Sequence, residues 1–259
     1  MPLVDVQVAC IRRYATGIDS IPIFLATEMP VSNFHVDRIL SYKNVHYISL
    51  QKDESEFIES RIAATSYIPD EYDYILPLQD DFWLDRAPDY KLLEDAINIL
   101  KGDLKVQSIR IMPSPAASSF AQTYMGRGPW KILDHADAYK FTFQATLWRK
   151  KPYMEFLEVI LKRASKDFED SGLPRCDWSK FCVRVNVAEN MKGQATFNEV
   201  CMGQGRIHLC IERPGRQANA VFLSPWPYRP TAVVHGKLEP WAIEFAYREG
   251  FSLYGWNTT

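Results

Sequence analysis

The sequence predicts an α/β fold with an open, mainly parallel central sheet and helices on both of its faces. Over the first hundred residues, short apolar runs typical of strands alternate with segments of helical periodicity. Such alternation connects parallel strands through crossover helices, which cover the two faces of a sheet. No internal repeat, low-complexity tract or linker interrupts the 259 residues. We therefore expect a single domain over 1–259, with halves at 1–112 and 113–259.

Strands of the first half are predicted where apolar residues alternate or run together. They cover residues 4–11, 21–26, 45–50, 72–78 and 106–112. The apolar run at 72–78 is continuous, as in a strand that is buried on both faces. Asp53 and Glu56 form a capping-box pattern, which predicts a helix over 54–67. A second helix is predicted over 89–101, ahead of a glycine.

The second half carries one strong helical pattern and several weaker segments. Pro152 stands in the first turn of a long amphipathic helix, whose apolar residues repeat at helical spacing. Residues 114–135 are rich in Ser, Ala, Gly and Pro, which predicts a loop or flap. The remaining predictions are strands at 139–148, 206–211 and 231–234 and a helix at 240–249, with 166–205 left unassigned.

The bulk composition excludes several classes of protein. The net charge of −2 and the absence of a basic stripe argue against a nucleic-acid partner. No run of about 18 apolar residues occurs, so no transmembrane segment is expected, and the first residues lack a signal-peptide pattern. The five cysteines are odd in number and widely spaced, as reduced thiols are. We expect a cytoplasmic protein, or one at the cytosolic face of a membrane.

Two adjacent carboxylates are the sharpest chemical feature of the sequence. Asp80 and Asp81 follow the predicted strand 72–78, at the edge where open α/β sheets bind ligands. Neighbouring carboxylates repel each other unless a cation lies between them, and Mg²⁺ or Mn²⁺ prefers such oxygen ligands. The alternative is a turn that the two residues merely cap. Phe82 and Trp83 favour the interpretation as a ligand site, because two large aromatic side chains are not needed in a solvated turn.

This arrangement resembles the metal-binding acidic motif, called DxD, of GT-A nucleotide-sugar glycosyltransferases. The resemblance implies a GT-A (Rossmann-like) fold, with a nucleotide-binding first half and an acceptor-binding second half. It also implies Mn²⁺ or Mg²⁺ and a nucleotide-diphosphate sugar as donor substrate. By position, Asp81 matches the main metal ligand and Asp80 a helper that acts through water or the ribose. Gln79 stands where the motif usually has its first acid.

A second segment, at 233–241, is similar to the C-terminal His-Gly…Lys-Pro-Trp element of some GT-A enzymes. The resemblance implies that His235 is a metal ligand and that Lys237 contacts the donor diphosphate. A histidine with two carboxylates suits Mn²⁺ or Mg²⁺, and a lysine ammonium is a point charge for phosphate. Taken alone, His235 is equally compatible with an ordinary residue at a strand end.

A third segment, at 141–149, resembles the region of bacterial and viral members in which the donor sugar meets the acceptor. Gln144 is polar within this apolar run, whose alternative interpretation is an ordinary buried strand. Nucleotide contacts in this fold come from the loop after the first strand, here Arg12. Arg61 on the helix before the acidic strand is a further candidate phosphate contact. Both arginines are also compatible with solvated surface charges.

An inverting transferase needs a carboxylate base that accepts the proton of the acceptor hydroxyl. Glu199 is the first candidate, because its apolar neighbours predict partial burial and a raised pKa. Asp177, beside an aromatic residue, is the second candidate, and Glu189 is the third. Acids near aromatic residues also have common structural roles, so each of the three has that alternative.

The sequence therefore predicts a glycosyltransferase that acts in glycan biosynthesis and moves a sugar onto a carbohydrate or other hydroxyl acceptor. A bacterial cytoplasm, or a host cytoplasm if the source is viral, is the implied setting. A sugar nucleotidyltransferase is one alternative, although residues 12–17 match its Gly-rich phosphate loop poorly. A non-catalytic carbohydrate- or nucleotide-binding protein is the other. The apparently exposed aromatic residues Trp130, Trp226, Tyr228 and Trp241 suit sugar stacking in either case.

Overall fold

The computed structural model describes most of the chain as helices and strands around two main hydrophobic clusters. The described residues are 3–30, 33–51, 57–113, 117–118, 120–137, 139–174, 178, 181, 188–203, 205–212, 224–229, 232–234 and 237–251. The helices are α1 (Leu3–Tyr14), α2 (Asn33–Leu40), α3 (Phe57–Ser66), α4 (Tyr90–Gly102), α5 (Lys150–Asp170), α6 (Met191–Val200) and α7 (Pro240–Arg248). The strands are β1 (Ile23–Thr27), β2 (Val45–Ser49), β3 (Tyr74–Ile75), β4 (Val106–Arg110), β5 (Trp130–Ile132), β6 (Thr146–Arg149), β7 (Ile207–Ile211), β8 (Val233–Val234) and β9 (Lys237–Leu238).

The first element is a helix, so the predicted strand at 4–11 is wrong. Helix α1 is enclosed by protein: Val6 and Cys10 pack into the main cluster, while Val4 and Val8 pack against β1 and β2. Residues 4–8 alternate apolar and polar as in a half-buried strand, but the polar members Asp5 and Gln7 are buried as well, where Asp5 pairs with Arg38 and Gln7 donates to the Gln79 carbonyl. Arg12 consequently lies in the last turn of a helix.

The strands form a parallel pair, a five-stranded sheet and a short hairpin. Strands β1 and β2 pair in parallel from Ile23↔Val45 to Thr27↔Ser49. The larger sheet has the order β3-β6-β4-β7-β5, in which β4 and β7 are parallel and the other neighbours antiparallel. The mixed α/β class is confirmed, but this sheet is not mainly parallel. Strand β6 inserts antiparallel between β3 and β4, which sequence alternation cannot reveal.

Two predicted strands are much shorter than expected. The run at 72–78 is a strand only at Tyr74–Ile75, because Pro77 has no N–H with which to extend a ladder. The predicted strand 139–148 is reduced to β6, and Tyr139 has a φ of 53°, outside the range of a strand. Conversely, β5 lies inside the predicted loop 114–135, and α2 and α6 have no counterpart among the predicted elements.

The other predicted elements are present, with shifts of a few residues at their ends. They are β1, β2, α3, α4, β4, α5, β7, β8 and α7. The N-cap of α4 is Asp89, whose carboxylate accepts the Leu92 N–H at 3.1 Å. Residues 53 and 56, which make up the predicted capping box of α3, lie outside the described residues. In the part of the chain described, no helix is long and apolar enough to cross a membrane.

Candidate functional site

Asp80 and Asp81 lie in a tight turn that follows β3. The Phe82 N–H donates to the Gln79 carbonyl at 3.2 Å, and Trp83 Nε1 donates to the Asp80 carbonyl at 3.0 Å. Both aromatic side chains are buried in the main hydrophobic cluster. The turn is therefore held through its backbone and its aromatic anchors, and neither carboxylate is needed to form it.

An irregular antiparallel ladder joins this turn to the segment near the C-terminus. Its backbone hydrogen bonds run from Ala232 N to Asp81 O at 3.1 Å, from Arg229 N to Trp83 O at 3.3 Å and from Asp85 N to Pro227 O at 3.3 Å. These bonds bring together two segments that are about 150 residues apart in the chain. The ladder carries the beginning of the 233–241 element to the acidic turn.

The hairpin β8–β9 continues from this ladder. Val233 pairs with Leu238 and Val234 with Lys237, and the Glu239 N–H donates to the Ala232 carbonyl at 2.9 Å. Lys237 is exposed. The predicted metal ligand His235 lies outside the described residues. The described part of the hairpin starts beside the Asp81 backbone.

One oxygen of the Asp81 carboxylate is buried without a hydrogen-bond partner. Asp81 is 9% exposed, and its Oδ1 has no hydrogen-bond partner. Burial, together with the charge of Asp80, raises the pKa of Asp81 to about 6. Asp80 is exposed, yet the protein atoms around its carboxylate still limit solvation and raise its pKa above the ordinary value. Arg61 favours the charged form of both carboxylates, but burial outweighs its effect on their pKa.

The described turn provides two acidic ligands for a cation, which are the carboxylates of Asp80 and Asp81. Within the described ranges, no group of three or more His, Cys, Asp or Glu side chains is arranged to hold a metal ion. Magnesium-type sites commonly use one or two carboxylates and take their other ligands from substrate phosphates and water. The orphaned Oδ1 of Asp81 and the adjacent Asp80 carboxylate fit such a site.

A narrow pocket lies beside the acidic turn. Its lining includes Arg61 from α3, Gln79 from the turn, Gln144 from the loop before β6, and Tyr153 from α5. The guanidinium carbon of Arg61 is 3.7 Å from the ring centre of Phe57 and 4.6 Å from that of Phe143. Burial lowers the pKa of Arg61, while Tyr153, Glu28, Asp80 and Glu189 act in the opposite direction. The structure thus brings Arg61 and the acidic turn together.

Gln144 is tied to the acidic turn through Tyr228. The Tyr228 hydroxyl donates to Gln144 Oε1, and the Tyr228 ring stacks on Phe82 at a centroid distance of 4.5 Å. Tyr228 is fully buried, as are Trp130 and Trp226, so the expectation that these three aromatic residues are exposed is wrong. Their neighbours in the sequence are polar or Pro, but the neighbours that bury them come from distant segments.

The candidate bases differ in how the structure surrounds them. Glu199 lies on α6 with its side chain 65% exposed, and both carboxylate oxygens accept from Arg163 at 2.8 Å. The predicted partial burial of Glu199 is therefore wrong. Asp177 lies outside the described residues. Glu189 accepts the N–H of Phe143, a residue that lines the pocket, at 2.8 Å and raises the pKa of Arg61 electrostatically.

Sequence reasoning missed several residues that act on Arg61. Glu28, whose charge acts on Arg61, directly follows β1, and the rule that ligands bind beyond the carboxyl ends of strands could have indicated it. Phe57 and Phe143 contact the Arg61 guanidinium from different segments. No local signal reveals this pair, because the partners are more than 80 residues apart.

Arg12 has a structural role in the described fold. Its side chain is 7% exposed and donates to the carbonyls of Ile18, Ile21 and Asn44 at 3.1–3.4 Å. Its two terminal nitrogens therefore join the end of α1 to the start of β2, while its Nε has no hydrogen-bond partner. The surrounding hydrogen bonds, rather than a nucleotide phosphate, account for its position.

Replacing Arg12 by Met is expected to lower the free energy of unfolding by about 2 kcal/mol, because three carbonyls lose a charged donor. Urea unfolding of the variant measures this loss. Arg86→Met is the matched control, since the Arg86 side chain is half exposed and pairs with Asp85, its neighbour in the chain. An unchanged stability for Arg12→Met would contradict the structural role.

Comparison of the chain with models of known protein families and with curated proteins gives no match. Function is therefore inferred from the site itself. That region combines a narrow pocket, lined in part by Arg61 and the half-buried Gln144, with the two carboxylates that follow Gln79 in the adjacent turn. Asp80 and Glu189 act electrostatically on Arg61. Such a set is able to hold a cation and an oxygen-rich ligand side by side.

Proposed function

We propose that the chain is a GT-A-type glycosyltransferase, which transfers a sugar from a nucleotide-diphosphate sugar to a hydroxyl of a glycan or other acceptor. The observation that carries the proposal is the buried Oδ1 of Asp81, which has no hydrogen-bond partner and lies next to Asp80 and near the Arg61 pocket. The mixed sheet differs from the mainly parallel one that the resemblance implied. The proposal consequently depends on the chemistry of the site rather than on the sheet.

In this proposal Asp81 and Asp80 hold Mg²⁺ or Mn²⁺, with His235 as the predicted additional ligand. The bound ion supplies Lewis-acid stabilisation of the charge that develops on the departing diphosphate. Lys237, exposed on β9, contributes a further positive charge toward the diphosphate. Phe82 and Trp83 hold the turn rigid, so the carboxylates need little reorganisation to bind.

Glu189 is the best supported base for an inverting reaction. It contacts the Phe143 backbone at the pocket and influences Arg61, whereas Glu199 is engaged by Arg163 on an exposed helix face. A carboxylate there would accept the proton of the acceptor hydroxyl as the new glycosidic bond forms. Asp177 and Glu199 remain predictions for this role. Retaining transfer would not use a base in this arrangement.

The alternative of a non-catalytic sugar-binding protein gains little support. It relied on exposed aromatic residues for sugar stacking, but three of the four are buried in the core. A binding protein also has no need to keep a buried carboxylate without a partner, because such a group lowers stability. Residues 12–17, where a nucleotidyltransferase would carry a phosphate loop, form a helix end and a short 3₁₀ helix.

Turnover of a panel of UDP-, GDP- and dTDP-sugars, with and without Mn²⁺, tests the proposal. We expect Mn²⁺-dependent release of the nucleotide diphosphate from one donor class, reduced about 100-fold in Asp81→Asn, because the variant loses a metal ligand worth several kcal/mol. Glu94→Gln, on an exposed position of α4, is the control and should retain full turnover. Turnover that is independent of both Mn²⁺ and Asp81 would contradict the proposal.

A further inference from the structure

Tyr139 combines an exposed aromatic ring with a strained backbone. Its φ of 53° lies in the left-handed region, which a bulky residue seldom adopts and which carries an energetic cost. The residue is 50% exposed. Within the part of the chain that the structure describes, its ring stacks on no other ring and its hydroxyl has no hydrogen-bond partner. The packing of the ring therefore does not explain why the backbone is held in this conformation.

Two buried cations hold the backbone of the loop that presents Tyr139. Arg110 Nη1 donates to the Tyr139 carbonyl at 2.7 Å. Lys140 Nζ donates to the carbonyls of His135 at 2.9 Å and Asp137 at 2.7 Å. Charged donors form stronger hydrogen bonds than neutral ones. A strained residue persists where its surroundings over-determine its conformation, and these hydrogen bonds provide that restraint.

The environment of Arg110 lowers the stability of the fold. The residue is 2% exposed, and its Nε and Nη2 have no hydrogen-bond partner. Burial lowers the pKa of Arg110, whereas Cys210 and Asp137 act in the opposite direction. A buried cation with unused donors is unfavourable, because its lost contacts with water are not replaced. An apolar side chain at this position would avoid that cost, so the contact with the Tyr139 carbonyl indicates a function for the loop.

The loop lies near the edge of the sheet that carries the acidic turn. Arg110 is the last residue of β4 and pairs with Thr146, the first residue of β6. Strand β6 runs antiparallel to both β3 and β4, so the carboxyl ends of β3 and β4 meet where β6 begins. The acidic turn follows β3, and Thr146 also lines the narrow pocket. Its contact with Arg110 therefore holds Tyr139 near the candidate site.

Polar residues accompany Tyr139 in the described segments. His135 is exposed, and the carboxylate of Asp137 accepts the N–H of the exposed Ser118 at 2.7 Å. The segment joined in this way also carries Phe120, which is 92% exposed. Exposed rings among polar groups differ from the contiguous apolar patch that a lipid surface or a protein interface uses. They suit a carbohydrate, whose C–H face packs on a ring while its hydroxyl groups bond with polar neighbours.

We propose that Tyr139 is a stacking residue that binds a sugar ring of the acceptor. The restrained loop fixes the position of its exposed ring near the edge of the sheet where the acidic turn lies. The assignment to the acceptor rests on the proposed function, because only a transferase has an acceptor. Binding of a carbohydrate does not require turnover, so the stacking residue is tested with oligosaccharides alone.

Tyr139→Asn removes the ring without disturbing the fold, because asparagine adopts the left-handed region more readily than tyrosine. Its melting temperature should equal or exceed that of the wild type. Maltohexaose, cellohexaose and chitohexaose are titrated into the full chain, and saturation-transfer NMR measures binding. At least one should bind the wild type, with about 5- to 10-fold lower affinity in Tyr139→Asn and about the same affinity in Tyr139→Phe, which retains the ring. Tyr247→Asn is the matched control and should bind like the wild type, since Tyr247 on α7 is 64% exposed.

A lower melting temperature of Tyr139→Asn would show that the ring stabilises the fold, and it would overturn the proposal. Absence of binding to the wild type, or equal binding to Tyr139→Asn, would overturn it as well. Binding that depends on Tyr139, without turnover of any sugar nucleotide, would instead reject the proposed function and leave a carbohydrate-binding site. Turnover of a sugar nucleotide together with binding that is independent of Tyr139 would reject the stacking residue alone.

Discussion

Asp81→Asn is expected to make the ligand-free protein more stable at pH 7.5, by about 1–3 kcal/mol. The wild-type carboxylate is buried, has an oxygen without a partner and lies beside Asp80. Its pKa is about 6 in the folded chain, against 3.8 for a freely solvated aspartate. The folded state therefore binds the proton more tightly, and stability is lost as the pH rises through the window from about 4 to 6. Asparagine has a similar shape and carries no charge, so it avoids this loss.

Guanidinium unfolding of the variant and the wild type at pH 7.5 and pH 3.5 measures the effect. The gain should be present at pH 7.5 and should disappear at pH 3.5, where the carboxylate is protonated in both states. Glu94→Gln, an exposed acid on α4, should show no comparable gain. A lower stability of Asp81→Asn at pH 7.5 would mean that the carboxylate has a stabilising partner in solution.

Mn²⁺ should reverse the order of stability of the two proteins. An ion that binds the folded state alone stabilises it by mass action, and the wild type has the ligand that the variant lacks. We expect added Mn²⁺ to raise the melting temperature of the wild type and to leave Asp81→Asn nearly unchanged. The turn would then sacrifice stability for function, which is common at active sites.

His208 is expected to make the protein sensitive to acid. The imidazole is fully buried, with Nδ1 2.8 Å from Ser108 Oγ and Nε2 3.1 Å from the Cys201 carbonyl. Burial lowers the pKa of His208 from 6.5 to about 4. The unfolded chain takes up a proton below pH 6.5 that the folded chain refuses until about pH 4. This contribution to stability is complete above pH 6.5, and about 3 kcal/mol of it is lost by pH 4.

The acid sensitivity is best measured in the Asp81→Asn background. Between pH 4 and 6 the contributions of Asp81 and His208 have opposite signs, so the wild-type stability should change little. Asp81→Asn removes one of them, and its unfolding free energy should fall steeply as the pH drops. Adding His208→Gln should flatten that curve again. An equally steep fall in the double variant would assign the acid sensitivity to other groups.

Local sequence patterns are sufficient to predict those helices and strands whose sequence signals lie within a few residues. Helix α5 is predicted by its apolar repeat, and the side chain of Asp89 caps α4 at the predicted start. The predicted bounds of β1 and β2 agree with the structure within two residues. Prediction from local patterns fails for a helix that is almost completely buried. Helix α1 buries the polar residues Asp5 and Gln7 between apolar ones, so its alternation predicts a strand that does not form.

The candidate site also has one part that the sequence predicts and another that depends on tertiary contacts. The pairing of Asp80 with Asp81 after an apolar run, and the aromatic residues that follow, identify the acidic turn from the sequence alone. That Gln144 is held by Tyr228, and that Glu189 rather than Glu199 reaches the pocket, depends on contacts between segments 46 to 84 residues apart. No local pattern encodes those contacts.

The mixed α/β class, most of the helices and the position of the carboxylate pair are readable from the amino-acid sequence, because periodicity, capping and strand-end chemistry act over short distances. The antiparallel insertion of β6, the burial of α1 and the unpartnered oxygen of Asp81 emerge only in the folded chain. The same is true of the contacts of Arg61 with two rings from distant segments. These features follow from burial and long-range packing, in which the environment of a side chain is supplied by residues far away in the chain.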